Sequence, residues 1–173
     1  MSIFYNAFLK YKWKLVFAIF VIMSSCILIS ALFIDYYLGF DSCELCIYER
    51  IPYVVILLTS IASYFVVNHR FRTFTLYIIG FTIFIGLSIA IYHTGIELNW
   101  WSPTTKCTPQ IVIKDDTTYD DFMHQINEAK VGDCTKAAFK IMGLSLAEIN
   151  IVVNLILLII IVKLIKFNAK TKV

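Results

Sequence analysis

The chain reads as an all-α integral membrane protein: a four-transmembrane-helix bundle with both termini in the cytoplasm and two cysteine-bearing loops outside. Three observations lead there. Of its 173 residues, 60% are hydrophobic and only 16% charged, whereas a soluble domain averages about 45–50% apolar and about 25% charged. The apolar residues gather into four runs near the ~20 residues that a helix needs to cross the hydrocarbon core. The lysines and arginines outside those runs gather on alternate sides of them. The net charge of +3 carries little by itself, and no basic patch of the kind that binds nucleic acid is present.

The predicted spans are residues 15–34, 51–67, 74–92 and 144–162, within a single membrane domain covering 1–173. The first holds no charge. The fourth is interrupted only by Glu148, Asn150 and Asn154 near its start. Helices are expected because lipid offers no partner for an unpaired backbone group. Lys10, Lys12 and Lys14 precede the first span. Arg70 and Arg72 lie between the second and third, and Lys163, Lys166, Lys170 and Lys172 follow the fourth. The loop over 35–50 carries Asp35, Asp41, Glu44 and Glu49 against Arg50 alone, and the loop over 95–143 has more acids than lysines. The positive-inside rule then puts both termini and the short link in the cytoplasm and the two long loops outside. A cleaved signal peptide fits the first run less well, because its apolar stretch is too long and no small-x-small site follows it.

The 95–143 loop is expected to carry structure. Trp100 and Trp101 follow the third span, where aromatic rings favour the interface. Pro103 and Pro109 break the backbone around Cys107. Phe122, Ile126 and Ala129 recur at helical spacing with acids and amides on other faces, which predicts a short helix on the membrane surface.

The chemistry lies in the cysteines. Cys43 and Cys46 form a C-x-x-C where the second span begins, and Cys107 and Cys134 sit in the other outer loop. Two intervening residues bring a pair of sulfurs to bonding distance in a turn or a first helical turn. A helix beginning near Cys46 would offer unpaired N–H groups and a partial positive charge, both of which favour the reactive thiolate. Arg50 is four residues further on, on the same helical face, and its guanidinium suits a thiolate or a reduced quinone oxygen. Its blander role is as an interfacial anchor. Pro52 is expected to kink or tighten the start of the second helix. His93 ends the third span and is a candidate hydrogen-bond or proton donor to a quinone. Glu49 and Glu97 read as interfacial charges. Glu148 reads as either a helix-start acid or a site residue. Cys26, in the middle of the first span, reads as a small packing residue. No metal site is expected: C-x-x-C is half of a zinc site, but a second pair is missing and the nearest histidines fall at the third span's end or beyond. Four outer cysteines allow three disulfide pairings. A loop pair beside a C-x-x-C favours a relay, since thiol–disulfide exchange passes oxidation between pairs.

The run Cys43-Glu44-Leu45-Cys46-Ile47-Tyr48-Glu49-Arg50, four spans, and a second cysteine pair in the next outer loop resemble the DsbB family of disulfide bond formation proteins. Tyr92-His93-Thr94-Gly95-Ile96-Glu97 with Trp100 and Trp101 resembles the region after that family's third span. The resemblance implies a bacterial inner-membrane enzyme whose two cysteine loops are periplasmic. Such an enzyme reoxidises a soluble, thioredoxin-fold DsbA-like oxidase and sends the electrons to a membrane quinone, ubiquinone ahead of menaquinone. It also implies disulfides Cys43–Cys46 and Cys107–Cys134. Cys107 would take the partner as a mixed disulfide, Cys134 would exchange with Cys43, and Cys46 would meet the quinone with Arg50 and His93 beside it. A DsbA-type partner near about −120 mV lies out of reach of ordinary dithiols near about −270 mV, so a high-potential acceptor is required.

The alternative from another class is a non-enzymatic membrane scaffold or small transporter with structural disulfides. A transporter is expected to carry polar groups at midspan, and these spans show few.

Overall fold

A computed structural model describes residues 2–39, 42–66, 68–102, 134–135, 140–141 and 143–170. Among the described residues, four helices are long and apolar enough to cross a membrane. They are α1 (Ser2–Tyr36), α2 (Glu44–Phe65), α3 (His69–Glu97) and α4 (Leu146–Lys170). Between α3 and α4 a two-stranded antiparallel ladder pairs β1 (Lys140–Ile141) with β2 (Leu144–Ser145). The first and third helices run past their predicted spans at both ends, the second begins earlier but ends at Phe65, short of 67, and the fourth runs on beyond 162. The periodic apolar signal marks what lipid requires, whereas backbone hydrogen bonding continues until a cap stops it. At the fourth span's start the prediction is early by two residues: Leu144 and Ser145 are strand, and the helix opens at Leu146. The predicted surface helix carrying Phe122, Ile126 and Ala129, with Pro103, Cys107 and Pro109, lies outside the described residues.

The helix starts follow from local chemistry. Asn68 caps α3, its Oδ1 accepting from the Arg70 N–H at 3.0 Å. At α4 the Glu148 N–H donates to Ser145 Oγ at 3.2 Å, and the Ser145 N–H donates to Glu148 Oε2 at 2.7 Å. This reciprocal Ser-x-x-Glu capping box identifies Glu148 as a helix-start acid. The second helix opens at Glu44, ahead of the expected start near Cys46, with Cys43 itself as the N-cap.

Neighbouring helices pack α1 on α2, α2 on α3 and α3 on α4. One core runs through the bundle, built from Trp13, Phe17 and Phe20 of α1, Tyr53 and Ile56 of α2, Leu76, Ile79 and Ile83 of α3, and Leu157 and Ile161 of α4. The outward faces are also apolar: Ile22, Ile29, Leu58, Phe81, Phe84, Ile156 and Ile159 are exposed. A water-soluble protein does not expose so continuous an apolar coat, but lipid requires one. Cys26 lies on this outward face, which corrects its expected place in the packing. Sequence hydropathy marks the run as apolar all round and cannot tell the inner side from the outer.

Pro52 sits inside α2 and is buried. Its ring removes the N–H that would reach the Tyr48 carbonyl, yet the helix continues to Phe65. The adjoining stretch is tight. A Cβ at Gly86 of α3 would come within 3.1 Å of Asn154 Oδ1 and 3.3 Å of Pro52 Cβ, so the missing side chain lets α2, α3 and α4 meet there.

Candidate functional site

The site is built where α2 begins against the end of α3. Cys43 has extended backbone geometry (φ −72°, ψ 165°) and caps α2 with its sulfur, which accepts the Cys46 N–H at 3.3 Å. The spacing of three residues puts Cys46 in the first turn directly above. The Cys43 thiol donates to Cys46 Sγ at 2.9 Å. Cys43 is buried and Cys46 half-buried, so the second sulfur is the accessible one. The neighbouring Cys46 thiol, then burial, push the Cys43 thiol well above its ordinary value. Cys43 thus holds its proton at neutral pH and is the hydrogen-bond donor of the pair.

α3 delivers His93 to the same point. Its Nε2 lies 3.5 Å from Cys43 Sγ, and its Nδ1 is 2.7 Å from Glu49 Oε1. A carboxylate acceptor opposite Nδ1 holds a proton on that nitrogen and fixes the ring with Nε2 facing the Cys43 sulfur. Glu97, one turn along α3, places Oε1 3.8 Å from Nε2. Glu49 is itself held from α4: Asn150 Nδ2 donates to Glu49 Oε2 at 2.7 Å. The chain of polar groups goes on into the bundle. The Tyr53 hydroxyl donates to Asn150 Oδ1, and Asn154 Nδ2 donates to the Tyr53 oxygen at 3.0 Å and to Asn150 Oδ1 at 2.9 Å. Each of these groups would be costly alone in an apolar interior, and the network pairs all of their polar atoms except Asn154 Oδ1.

Arg50 takes a different direction. Its Nη1 and Nη2 donate to Asp35 Oδ2 and Oδ1 at 2.5 and 3.0 Å, and Nη2 also donates to Ser42 Oγ at 2.5 Å. This two-pronged clamp ties the start of α2 to the end of α1. The sequence placed Arg50 on the face of Cys46; here its donors serve Asp35 and Ser42. On the other side Trp101 closes over the end of α3. Its Nε1 donates to the Tyr92 carbonyl at 2.8 Å, and its ring stacks on Tyr92. Gly95 makes the room, since a Cβ there would come within 2.1 Å of the indole.

Cys134 completes the arrangement. It is buried in one apolar cluster with Cys43, Leu45 and Ile96, with Cys46 and Tyr92 packed alongside. A loop cysteine more than 80 positions away in the chain therefore lies against the C-x-x-C. Cys107 is outside the described residues.

The sequence reading missed Glu49 as a buried link, along with Tyr53, Asn150 and Asn154. A signal was present: Asn150 and Asn154 are a polar pair four apart inside an apolar span, Glu49 stands four residues before Tyr53 at the mouth of another, and intramembrane polar groups point to function or to one another. Cys43, Cys46 and His93 have ligand atoms within 4.8 Å of one another, a grouping the sequence could not anticipate because His93 is 50 residues from Cys43.

Fold and site together define a multi-pass membrane protein with a buried dithiol at one helix start. Residues 13–164 match the family described as disulfide bond formation protein DsbB. The chain belongs to that family, whose name denotes disulfide chemistry. It is 27% identical over 154 residues to a Rickettsia prowazekii protein described as uncharacterized protein RP370, covering 89% of this chain and 88% of that one. It is 27% identical over 121 residues to disulfide bond formation protein B of Haemophilus ducreyi, covering 69% and 67%. Against the protein of the same name from Aeromonas salmonicida it is 26% identical over 121 residues, covering 69% of each.

Proposed function

We propose that the chain is a thiol–disulfide oxidoreductase of the bacterial inner membrane that reoxidises a soluble periplasmic DsbA-like partner and passes the electrons to a membrane quinone. The observation that carries this reading is the packing of Cys134 into the buried cluster of Cys43. A purely structural loop disulfide has no need to rest on a C-x-x-C, whereas a relay does. Both termini are assigned to the cytoplasm and the cysteine loops to the periplasm from the lysine and arginine distribution, within one membrane domain over 1–173.

The steps balance. In the resting form Cys43–Cys46 and Cys107–Cys134 are disulfides. A partner thiolate attacks Cys107 and forms a mixed disulfide, and the partner's second thiol displaces it. The partner leaves oxidised, with Cys107 and Cys134 as thiols. Cys134 then attacks Cys43 and frees Cys46, and Cys107 resolves the Cys43–Cys134 bond. The loop pair is restored, and Cys43 and Cys46 hold two electrons and two protons. A quinone accepts both electrons and both protons when bound.

The residues present fit such an acceptor. Cys46 is the accessible sulfur and stands beside the exposed apolar Ile47 and Ile51, a surface suited to a lipid-soluble ring. His93, oriented by Glu49, faces the Cys43 sulfur with its Nε2. Arg50 supplies positive charge nearby while its clamp on Asp35 fixes the start of α2.

The test is to trap the exchange. A Cys46→Ser/Cys107→Ser variant leaves Cys43 and Cys134 as the outer thiols. Mild oxidation is expected to join them, read as a Cys43–Cys134 peptide by mass spectrometry. Failure to form that bond, with helical content intact, would remove the relay.

A further inference from the structure

The grouping around Cys43 has a property that disulfide exchange does not use. A tetrahedral zinc ion has bonds of about 2.3 Å to sulfur and about 2.0–2.1 Å to imidazole nitrogen, which sets sulfur and nitrogen about 3.6 Å apart. Cys43 Sγ and His93 Nε2 are 3.5 Å apart. The two sulfurs, at 2.9 Å, would open by about 0.8 Å to reach the tetrahedral sulfur–sulfur spacing. The half-buried Cys46 side chain can supply that motion. Metal-binding histidines present one nitrogen to the ion and donate the other N–H to a carboxylate, which fixes ring and tautomer. That support is already built here: His93 Nδ1 faces Glu49, and Glu49 is pinned by Asn150. Glu97 Oε1 lies 3.8 Å from the same Nε2 but outside the grouping of three close donors, so the fourth position of a tetrahedral ion is left to water.

We propose that the dithiol form of Cys43 and Cys46, with His93, is a zinc site that exists only while the pair is reduced. Binding exchanges two thiol protons for one Zn²⁺ and involves no change of oxidation state. Oxidation to the disulfide removes both thiolate donors and releases the ion. Zinc therefore holds the pair reduced and blocks turnover, a link between metal supply and disulfide formation. The site needs only that the pair be reducible, so it stands or falls separately from the quinone reading.

The experiment uses the full chain in detergent micelles, reduced and freed of reductant, with Zn²⁺ titrated against a chromophoric chelator. A Cys107→Ser/Cys134→Ser variant is expected to take one zinc when reduced and none at that affinity when oxidised. Adding Cys43→Ser or Cys46→Ser to that background abolishes the site. Glu49→Gln, which leaves every ligand in place but removes the carboxylate behind His93, weakens binding about 10–100-fold, the usual cost of losing the carboxylate behind a metal-bound histidine. Co²⁺ in place of zinc is expected to give sulfur-to-metal charge-transfer absorption in the reduced protein alone. Equal zinc affinity in the reduced and oxidised forms would overturn the proposal. So would retention of wild-type affinity by the Cys43→Ser variant.

Discussion

Replacing Glu49 by glutamine changes one atom's chemistry and is predicted to disrupt the site. The carboxylate accepts from two donors at once, His93 Nδ1 at 2.7 Å and Asn150 Nδ2 at 2.7 Å. A glutamine has one acceptor oxygen and one donor amide, so one of those two donors must face another donor. Turning the Asn150 amide around does not help, because its Oδ1 already accepts from the Tyr53 hydroxyl and Asn154 Nδ2. One buried polar group is left without a partner, at a cost of about 1–3 kcal/mol. At 1.4 kcal/mol per tenfold, that is about 5- to 150-fold in the population of the ordered site. The assay is unfolding in mixed detergent micelles followed by helical circular dichroism, with Glu49→Gln compared with wild type. The rescue is specific: in Glu49→Gln/Asn150→Asp the new aspartate accepts the glutamine amide, and His93 keeps its acceptor. The double variant is expected to recover most of the loss, as coupled neighbours do. A Glu49→Gln protein as stable as wild type would refute the bonding scheme, as would a double variant no better than the single.

Other perturbations follow from the same geometry. Because Cys43 titrates well above its ordinary 9.0, its thiolate is scarce at pH 9, and iodoacetamide should label Cys46 first in the reduced protein. Removing the leading cause with Cys46→Ala should move the Cys43 labelling midpoint back down, read residue by residue by mass spectrometry; an unchanged midpoint would contradict the assignment. Gly95→Ala should expel the Trp101 ring, breaking its bond to the Tyr92 carbonyl and its stack on Tyr92, with a red-shifted tryptophan emission and a loss of about 1–2 kcal/mol. Asp35→Ala should free Arg50 from a partly buried, two-pronged pair at about 1–3 kcal/mol, measured by the same unfolding assay, and should loosen the α1–α2 connection to protease.

The bundle was legible because bilayer thickness imposes a length and lipid imposes apolarity, and both are properties of a contiguous stretch. The C-x-x-C at the start of α2 was legible for the same reason, since its sulfurs are neighbours in sequence. Contacts between distant stretches were harder to read. Glu49 looked like an interfacial charge until His93 and Asn150 proved to lie on either side of it. Arg50 donates to Asp35 and Ser42, partners 15 and 8 residues away that its place on the helix face does not indicate. Cys26 lies in a helix that is apolar all round, so nothing local says which side faces lipid. Glu148 had an unused local signal: Ser145 three residues before it marks a capping box.

The most direct test of the account is single-turnover quinone reduction by the purified protein given a reduced DsbA-type partner and ubiquinone, with wild type compared with Cys46→Ser and Cys107→Ser. The account predicts stoichiometric quinol from wild type and none from either variant. Normal reoxidation of the partner by Cys107→Ser would reduce the loop pair to a structural role. A wild-type protein inactive with both ubiquinone and menaquinone would contradict the central claim.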